Sequence, residues 1–316
     1  MRTAVVIVNY RVASLTVEAV DALLTDGGFD GEIVVVDNLS PDDSVKVLGD
    51  AFTQPSRRDR CTLVPSDRNG GFAAGNNVGL KHLLGRDDPP DAFHLINPDT
   101  IAAIDATPAL VRAAMSDSKV GIVGSRMKGP DGEWQASAFR FPNCMGEFER
   151  GAMTGPVSKA LRSKLVPIDV GDDPVDADWV SGASFLVTRE VIDRIGLMDE
   201  GFFLYYEEVE LCWRAKQAGY RVRYEPGSVV VHLEGQSTTT ADKRPVLKSA
   251  HWYNSRRRYF ERTGGRARAR LADASYLSGA ALRAIRDVGS GGPKAWGELR
   301  GALSKATKHG AERGDG

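Results

Sequence analysis

Four short stretches of this sequence combine residue types that could do chemistry. Asn97-Pro98-Asp99 follows an apolar run from Ala92 to Ile96. A carboxylate at the end of a buried strand can hold Mg2+ or Mn2+, and such an ion would bridge phosphate oxygens and neutralise a departing diphosphate. The same tripeptide is also good turn chemistry. Glu207-Glu208 come directly after the aromatic run Phe202 to Tyr206 and open an expected helix. A helix N-terminus favours ionised acids, and a carboxylate held there could take a proton from an acceptor hydroxyl. Acids are equally ordinary in a first helical turn. His232 ends the strand-like run Val229 to Val231, with Gly235 and Ser237 close behind. Neutral imidazole is a common metal ligand, although a lone histidine is more often structural. Finally, Asn69 to Asn77 reads as a Gly-rich turn leading into a helix, where backbone N–H groups could meet phosphate or ribose. It fits neither GxGxxG nor GxxxxGK[ST].

These residues need a scaffold that gathers them at one edge. Residues 4–9 and 32–37 are apolar runs suited to strands buried on both faces, and 62–64 and 92–96 continue the series. Helical spacing fills 14–24, 42–52 and 76–84 between them, with a break at Gly27-Gly28. The order β-α-β-α-β-α-β implies a doubly wound, mostly parallel α/β sheet, in which ligands bind beyond the carboxyl ends of the strands. Asn9, Asp37 and Asp99 are the polar residues at those ends. A helix over 107–115 and a strand over 120–124 follow. Residues 125–178 read as irregular, with room for a mobile acceptor loop. A strand-like stretch over 178–187, a helix over 189–195 and a loop-then-helix over 202–218 come next, and a helical, basic pattern begins at Lys248.

The 316 residues are 42% hydrophobic and 26% charged, which suits a soluble protein with an ample core. Cys61, Cys144 and Cys212 form no CxxC pair, which argues against a disulfide framework or a zinc site and suggests a reducing compartment. Neither a signal-peptide pattern nor a run of about 18 apolar residues is present, so a cytoplasmic location is expected. The net charge of −1 conceals a basic tail: from Lys243 onward there are 17 Lys and Arg against 6 Asp and Glu. Such a tail suits nucleic acid, an anionic membrane or a solvated helical face.

Together the pieces resemble family 2 glycosyltransferases of the GT-A fold, over about residues 3–262. The resemblance is carried by Val8-Asn9-Tyr10, Val36-Asp37-Asn38, Asn69 to Asn77, Asn97-Pro98-Asp99, Gly182-Ala183, Tyr206 to Leu211 and Val231-His232. It implies that Asp37 reads the pyrimidine base and that Val8, Asn9, Tyr10 and Asn38 line the same pocket. Gly71, Asn76 and Asn77 would lie near ribose or donor sugar. Asp99 resembles the last residue of the family's DxD motif, with Asn97 where an Asp often stands, which leaves one carboxylate. His232 resembles a further ligand of the Mg2+ or Mn2+. Glu208 resembles the catalytic base, with Glu207 as the alternative. The implied mechanism is inverting, by single displacement. The family's processive Gln-x-x-Arg-Trp motif and membrane spans are missing, which favours one transfer per binding event.

The motif forms look most like bacterial rhamnosyltransferases, which use dTDP-L-rhamnose and often a polyprenyl-diphosphate-linked acceptor; a UDP-sugar donor is the alternative. The expected division is a catalytic domain over 1–262 and a basic helical tail over 263–316, broken by Gly289 to Pro293 and disordered from Lys308. His251 to Phe260 mixes aromatics with arginines. Leu271, Leu277, Leu282 and Ile285, beside Arg283 and Arg286, could form one face of a helix on the inner face of an anionic membrane. Three other readings compete. A nucleic-acid binder has the tail but no recognised motif, and its acidic body would repel phosphates. A nucleotidyltransferase would want a basic Gly-rich loop after the first strand, which residues 9–14 do not supply. A binding-only pseudoenzyme is encouraged by Asn97.

Overall fold

The computed structural model describes residues 1–25, 29–233 and 250–288. Gly27-Gly28, Gly235, Ser237, residues 243–249 of the tail and everything from residue 289 on lie outside the described residues. The apolar runs become strands because every side chain after the first residue is buried, whichever face it points to. This holds in β1 (Thr3–Asn9) and β2 (Glu32–Asp37), and β4 (Ala92–Ile96) and β11 (Ser184–Thr188) are buried throughout. Such strands need helices on both faces.

In chain order the first unit contains β1, α1 (Ala13–Thr25), β2, α2 (Ser44–Phe52), β3 (Cys61–Pro65), α3 (Gly71–Leu84), β4, β5 (Thr100–Ala102), α4 (Ala106–Met115), β6 (Val120–Lys128), β7 (Trp134–Gln135) and β8 (Ala138–Phe139). After α5 (Cys144–Ala152) and α6 (Gly155–Ala160), which belong to the second unit, it resumes with β9 (Val175–Ala177), β10 (Trp179–Val180), β11, α7 (Arg189–Ile195), α8 (Glu207–Gln217) and β12 (Arg221–His232). The sheet order is β3-β2-β1-β4-β11-β6-β12-β5, with β3, β2, β1 and β4 mutually parallel and β11 antiparallel to both neighbours. The register sets Asn9 opposite Asp37, so the polar ends of β1 and β2 meet side by side. Val5 and Ile7 pack with Val20, Leu23, Leu48 and Phe52. Leu110 and Ala113 of α4 cover Val123 and Leu186. Each such buried aliphatic side chain contributes on the order of 2 kcal/mol.

Three expectations change. The Gly-rich stretch is not a turn before a helix at Asn76; α3 begins at Gly71. A Cβ at Gly75 or Gly79 would sit 2.6 Å from Val8 Cγ1 or Val6 Cγ1, so the missing side chains let α3 lie directly on β1. That close packing outweighs the roughly 1 kcal/mol that a helical glycine costs. Residues 125–178 are not irregular throughout: β6 continues to Lys128, and α5 and α6 follow. The stretch 178–187 is two strands, β10 and β11, with Ser181 to Ala183 between them.

The second unit comprises 140–166 and the chain from 243, so it takes in residues on both sides of position 262. Its helix α9 (Ala250–Val288) packs against α5 and is interrupted at Gly264 and Gly265, the latter at φ +76°. Within it Arg256, 3% exposed, donates from Nε to Glu147 Oε2 and from Nη1 to Asp273 Oδ1, both at 2.6 Å. These partners compensate a buried cation that would otherwise be costly. Among the described residues no helix is long and apolar enough to cross a membrane. All three cysteines are free, and burial pushes the Cys61 and Cys212 thiols up to about 11 and about 12.

Candidate active site

The ends of β1 and β2 hold a buried polar cluster. Asn9 is fully buried, Asp37 is 1% exposed and Asn38 3%. Asn9 Nδ2 donates to Asp37 Oδ1 at 2.7 Å, and Thr16 Oγ1 donates to Asn9 Oδ1 at 2.8 Å, which fixes the amide orientation. Ser40 donates twice to Asp37, from its backbone N to Oδ2 at 2.9 Å and from Oγ to Oδ1 at 2.7 Å. Asn9 thus steadies Asp37, while Tyr10 is partly exposed beyond it. Ser40 and Thr16 were not singled out in the sequence. The signal for Ser40 was there, since a Ser three residues after an Asp at a strand end is an Asp-turn pattern. Asn38 Nδ2 donates to Asn69 Oδ1 and to Gly71 O, tying β2 to the start of α3. Its Oδ1 is buried without a hydrogen-bond partner and can accept from a ligand hydroxyl.

Asp99 and His232 are far apart in sequence but adjacent in space. β5 pairs antiparallel with β12 so that Thr100 faces His232, and Leu233 N donates to Asp99 O at 2.9 Å. His232 Nε2 lies 3.5 Å from Asp99 Oδ1. That oxygen is buried and has no hydrogen-bond partner, which is costly for a carboxylate. A divalent cation fits this donor set, with one hard oxygen and one imidazole nitrogen left to share it. Among the described residues no group of three His, Cys, Asp or Glu could hold a metal. Asn97 makes a turn as well: its O accepts from Thr100 N at 3.2 Å, and its N donates to Ala183 O at 2.9 Å.

Glu207 and Glu208 open α8, as the sequence implied, but their surroundings override the helix terminus. Glu207 is 4% exposed, and burial together with the neighbouring Glu208 carboxylate pushes its carboxyl well above the ordinary range. Burial pushes Glu208 up to about 7, while backbone N–H groups of Glu208, Val209 and Gly182 pull the other way. One oxygen of each acid, Oε2, is buried without a hydrogen-bond partner. Desolvation of a carboxylate therefore exceeds the stabilisation a helix N-terminus offers. A carboxyl poised near neutrality is suited to general-base work. Gly182 lies against Glu208, since a Cβ there would sit 3.4 Å from its Cδ. Through Gly182-Ala183 the acid pair thus adjoins Asn97-Pro98-Asp99.

The loop before α8 is held under strain. Tyr205 and Tyr206 both have left-handed backbones, at φ 71° and 69°, each costing on the order of 1 kcal/mol. Phe72 N donates to Phe203 O at 2.8 Å, and Asn77 clamps the same loop, donating to Met198 O and Glu200 Oε1 and accepting from Met198 N. Asn77 therefore spends its amide on this loop, whereas Asn76 Nδ2 donates back to Phe72 O within α3. Gly71, at φ +81°, is the pivot: a Cβ would stand 1.9 Å from Phe203 O. Gly71→Ala is expected to lose on the order of 3 kcal/mol of stability in denaturant unfolding. Gly49→Ala in α2, where nothing lies within 4 Å, should gain up to about 1 kcal/mol. Equal midpoints for the two variants would refute the Gly71 pivot.

Comparison with known proteins adds the following. The family model described as "Glycosyl transferase family 2" matches residues 4–162. N-acetylglucosaminyl-diphospho-decaprenol L-rhamnosyltransferase of Mycobacterium tuberculosis (strain ATCC 25618 / H37Rv) is 28% identical over 221 residues, 65% of this chain and 67% of that protein. Rhamnosyltransferase WbbL of Escherichia coli (strain K12) is 26% identical over 197 residues, 60% of this chain and 71% of that protein. Among solved structures, the mannosyltransferase PcManGT of Pyrobaculum calidifontis, in complex with GDP-Man and Mn2+, aligns with a TM-score of 0.58 at 17% identity. It covers 99% of this chain and 88% of that chain. GalNAc-T7 with UDP, GalNAc and Mn2+ gives the same TM-score and identity over 81% of this chain, which spans about half, 48%, of the GalNAc-T7 chain. Both likenesses are of fold, and both are to glycosyltransferases of the GT-A type.

Proposed function

The chain belongs to glycosyl transferase family 2 and is a glycosyltransferase, and from that premise we propose an inverting, non-processive enzyme that moves L-rhamnose from dTDP-L-rhamnose. The acceptor is a hydroxyl of a glycan or polyprenyl-diphosphate-linked saccharide used in building cell-surface polysaccharide. One observation carries the reading. Buried Asp99, with an unpartnered carboxylate oxygen, and half-buried His232 adjoin, through the backbone of Asn97, Ala183 and Gly182, the acid pair whose Glu208 is held up to about 7. Rhamnose is supported by two relatives whose names state rhamnosyl transfer, one of them onto a decaprenol-linked diphosphate. This reading puts the enzyme in the cytoplasm, peripheral on the inner face of the plasma membrane, without nucleic acid as a partner.

Each residue then has a task. Asp37, oriented by Asn9 and Ser40, reads the pyrimidine, with Val8 and Tyr10 beside it. Asn38 offers its unpaired carbonyl oxygen to ribose. Gly71 and Asn76 stand near ribose and donor sugar, and Asn77 holds the loop that presents the acids. Asp99 and His232 would hold Mg2+ or Mn2+, with Asn97 shaping the turn. When bound, the ion neutralises charge on the departing diphosphate. Glu208, kept basic by burial, takes the proton of the acceptor hydroxyl, with Glu207 as the alternative base. The freed oxygen attacks the anomeric carbon on the face opposite the nucleotide, the bond to the diphosphate breaks, and the configuration inverts. Positioning of donor and acceptor supplies much of the rate gain.

Calorimetric titration with dTDP, UDP and GDP, each with and without Mn2+, tests the reading. Metal-dependent binding of dTDP ahead of UDP is the expected result. Tighter UDP binding would keep the transferase and overturn rhamnose. Absence of binding to all three would overturn the donor site itself.

A further inference from the structure

The second unit carries an exposed face that the transfer chemistry does not use. After the break at Gly264-Gly265, α9 turns its alanines inward: Ala269, Ala272, Ala280 and Ala284 are all buried. On the opposite side Leu271, Ser278, Leu282 and Ile285 fall within about 40° of one line along the helix, at about 100° per residue. Leu271 is 59% exposed, Leu282 40% and Ile285 69%. Met153, at the end of α5 and 61% exposed, joins this face, because Arg286 Nη1 donates to its carbonyl oxygen at 2.9 Å and Arg283 Nη1 lies 2.8 Å from its sulfur. Arg270 and Arg286, both exposed, border the apolar line on its two sides, and Arg262 and Arg266 are exposed near the break. Over the length of α9 there are nine arginines against Glu261, Asp273 and Asp287.

We propose that this face is a docking surface for an anionic lipid bilayer, with the last part of α9 lying in the interfacial plane. The inference rests on the reading of a lipid-linked acceptor and names the surface that would bring the enzyme to it. Charge chooses the occupant. Leucine and isoleucine flanked on both sides by arginine match acyl chains beneath anionic headgroups. A second copy of the chain would set arginine against arginine. A nucleic acid would leave Leu271, Leu282 and Ile285 against a charged backbone, with nothing apolar to meet them.

The test is flotation of the full chain with vesicles of phosphatidylcholine, with and without phosphatidylglycerol. The wild type should float only with phosphatidylglycerol present. Leu282→Glu/Ile285→Glu and Arg270→Glu/Arg286→Glu should each lower the bound fraction about tenfold, and added salt should weaken wild-type binding. Leu282→Glu/Ile285→Glu alters exposed residues and should keep the wild-type thermal midpoint, while Arg270→Glu/Arg286→Glu, which also loses the hydrogen bond to Met153, should melt cooperatively just below it. Equal binding to both vesicle types, no flotation, or wild-type flotation by the variants overturns the proposal. Preference for a DNA fragment over the vesicles does the same, as does concentration-dependent dimerisation lost in the Leu282/Ile285 variant. Nucleotide titration of the same samples keeps the two readings apart. Failed flotation with intact dTDP binding sinks only the docking surface, whereas lost dTDP binding in the wild type sinks the donor reading whatever the vesicles show.

Discussion

Glu208→Gln is expected to lower the rate of sugar transfer by about a thousandfold while leaving nucleotide affinity unchanged. Glutamine keeps the size and the contact with Gly182 but cannot take a proton, and removing a general base costs about 10²- to 10⁴-fold. Glu207→Gln should cost far less, on the order of tenfold, because Glu208 remains to take the proton. Initial rates and calorimetric affinities of both variants decide the assignment: a dead Glu207→Gln beside an active Glu208→Gln reverses the two roles. The pH profile follows from the same carboxyl. A base pushed up to about 7 is protonated below that pH, so the rate should rise through neutrality and stand near a tenth of its plateau at about pH 6. Stability should run the opposite way. A folded-state value raised above 4.5 contributes stability that is present below about 4.5 and lost as pH climbs through about 7. Glu208→Gln removes that loss, so above neutrality the inactive variant should be the more stable protein, by at most about 3 kcal/mol. Melting curves at two pH values would show it.

Asp99→Ala should abolish the metal dependence of nucleotide binding. The wild type is expected to bind dTDP on the order of a hundredfold more weakly after EDTA treatment, and Asp99→Ala should bind at that weakened level with or without Mn2+. Asp99 is the only carboxylate of its tripeptide, so no neighbour can replace it. His232→Ala should fall between the two, about tenfold down, because Asp99 would remain to hold the ion. Asp99→Ala also removes a buried, unpartnered carboxylate oxygen, so its fold should be no less stable than the wild type's. Metal-dependent binding that survives in Asp99→Ala would remove the cation from this position.

Much of the outline was legible because it depends on neighbours in the chain. Continuous apolar runs such as Ala4 to Val8 announce a strand covered on both faces, and the acids at positions 37, 99, 207 and 208 announce themselves by type and by their place at element ends. The start of α3 was misplaced because glycine propensity is a local quantity, while the fit of Gly75 and Gly79 against Val8 and Val6 is not. The break in the tail expected at 289–293 lies outside the described residues; the interruption at Gly264-Gly265, two glycines inside an otherwise helical pattern, was not read from the sequence.

By itself, then, the sequence determined the alternation of strands and helices, the doubly wound α/β class and the list of polar residues at the strand ends, since periodicity and residue type act over a few positions. Only the tertiary structure decided which of those residues share a site and in what state. The approach of His232 to Asp99 is made by β5 pairing with β12, the hold of Thr16 on Asn9 by the packing of α1, and the neutral poise of Glu208 by desolvation. Pairing between distant strands and exclusion of water are properties of the assembled chain, and no window of sequence contains them.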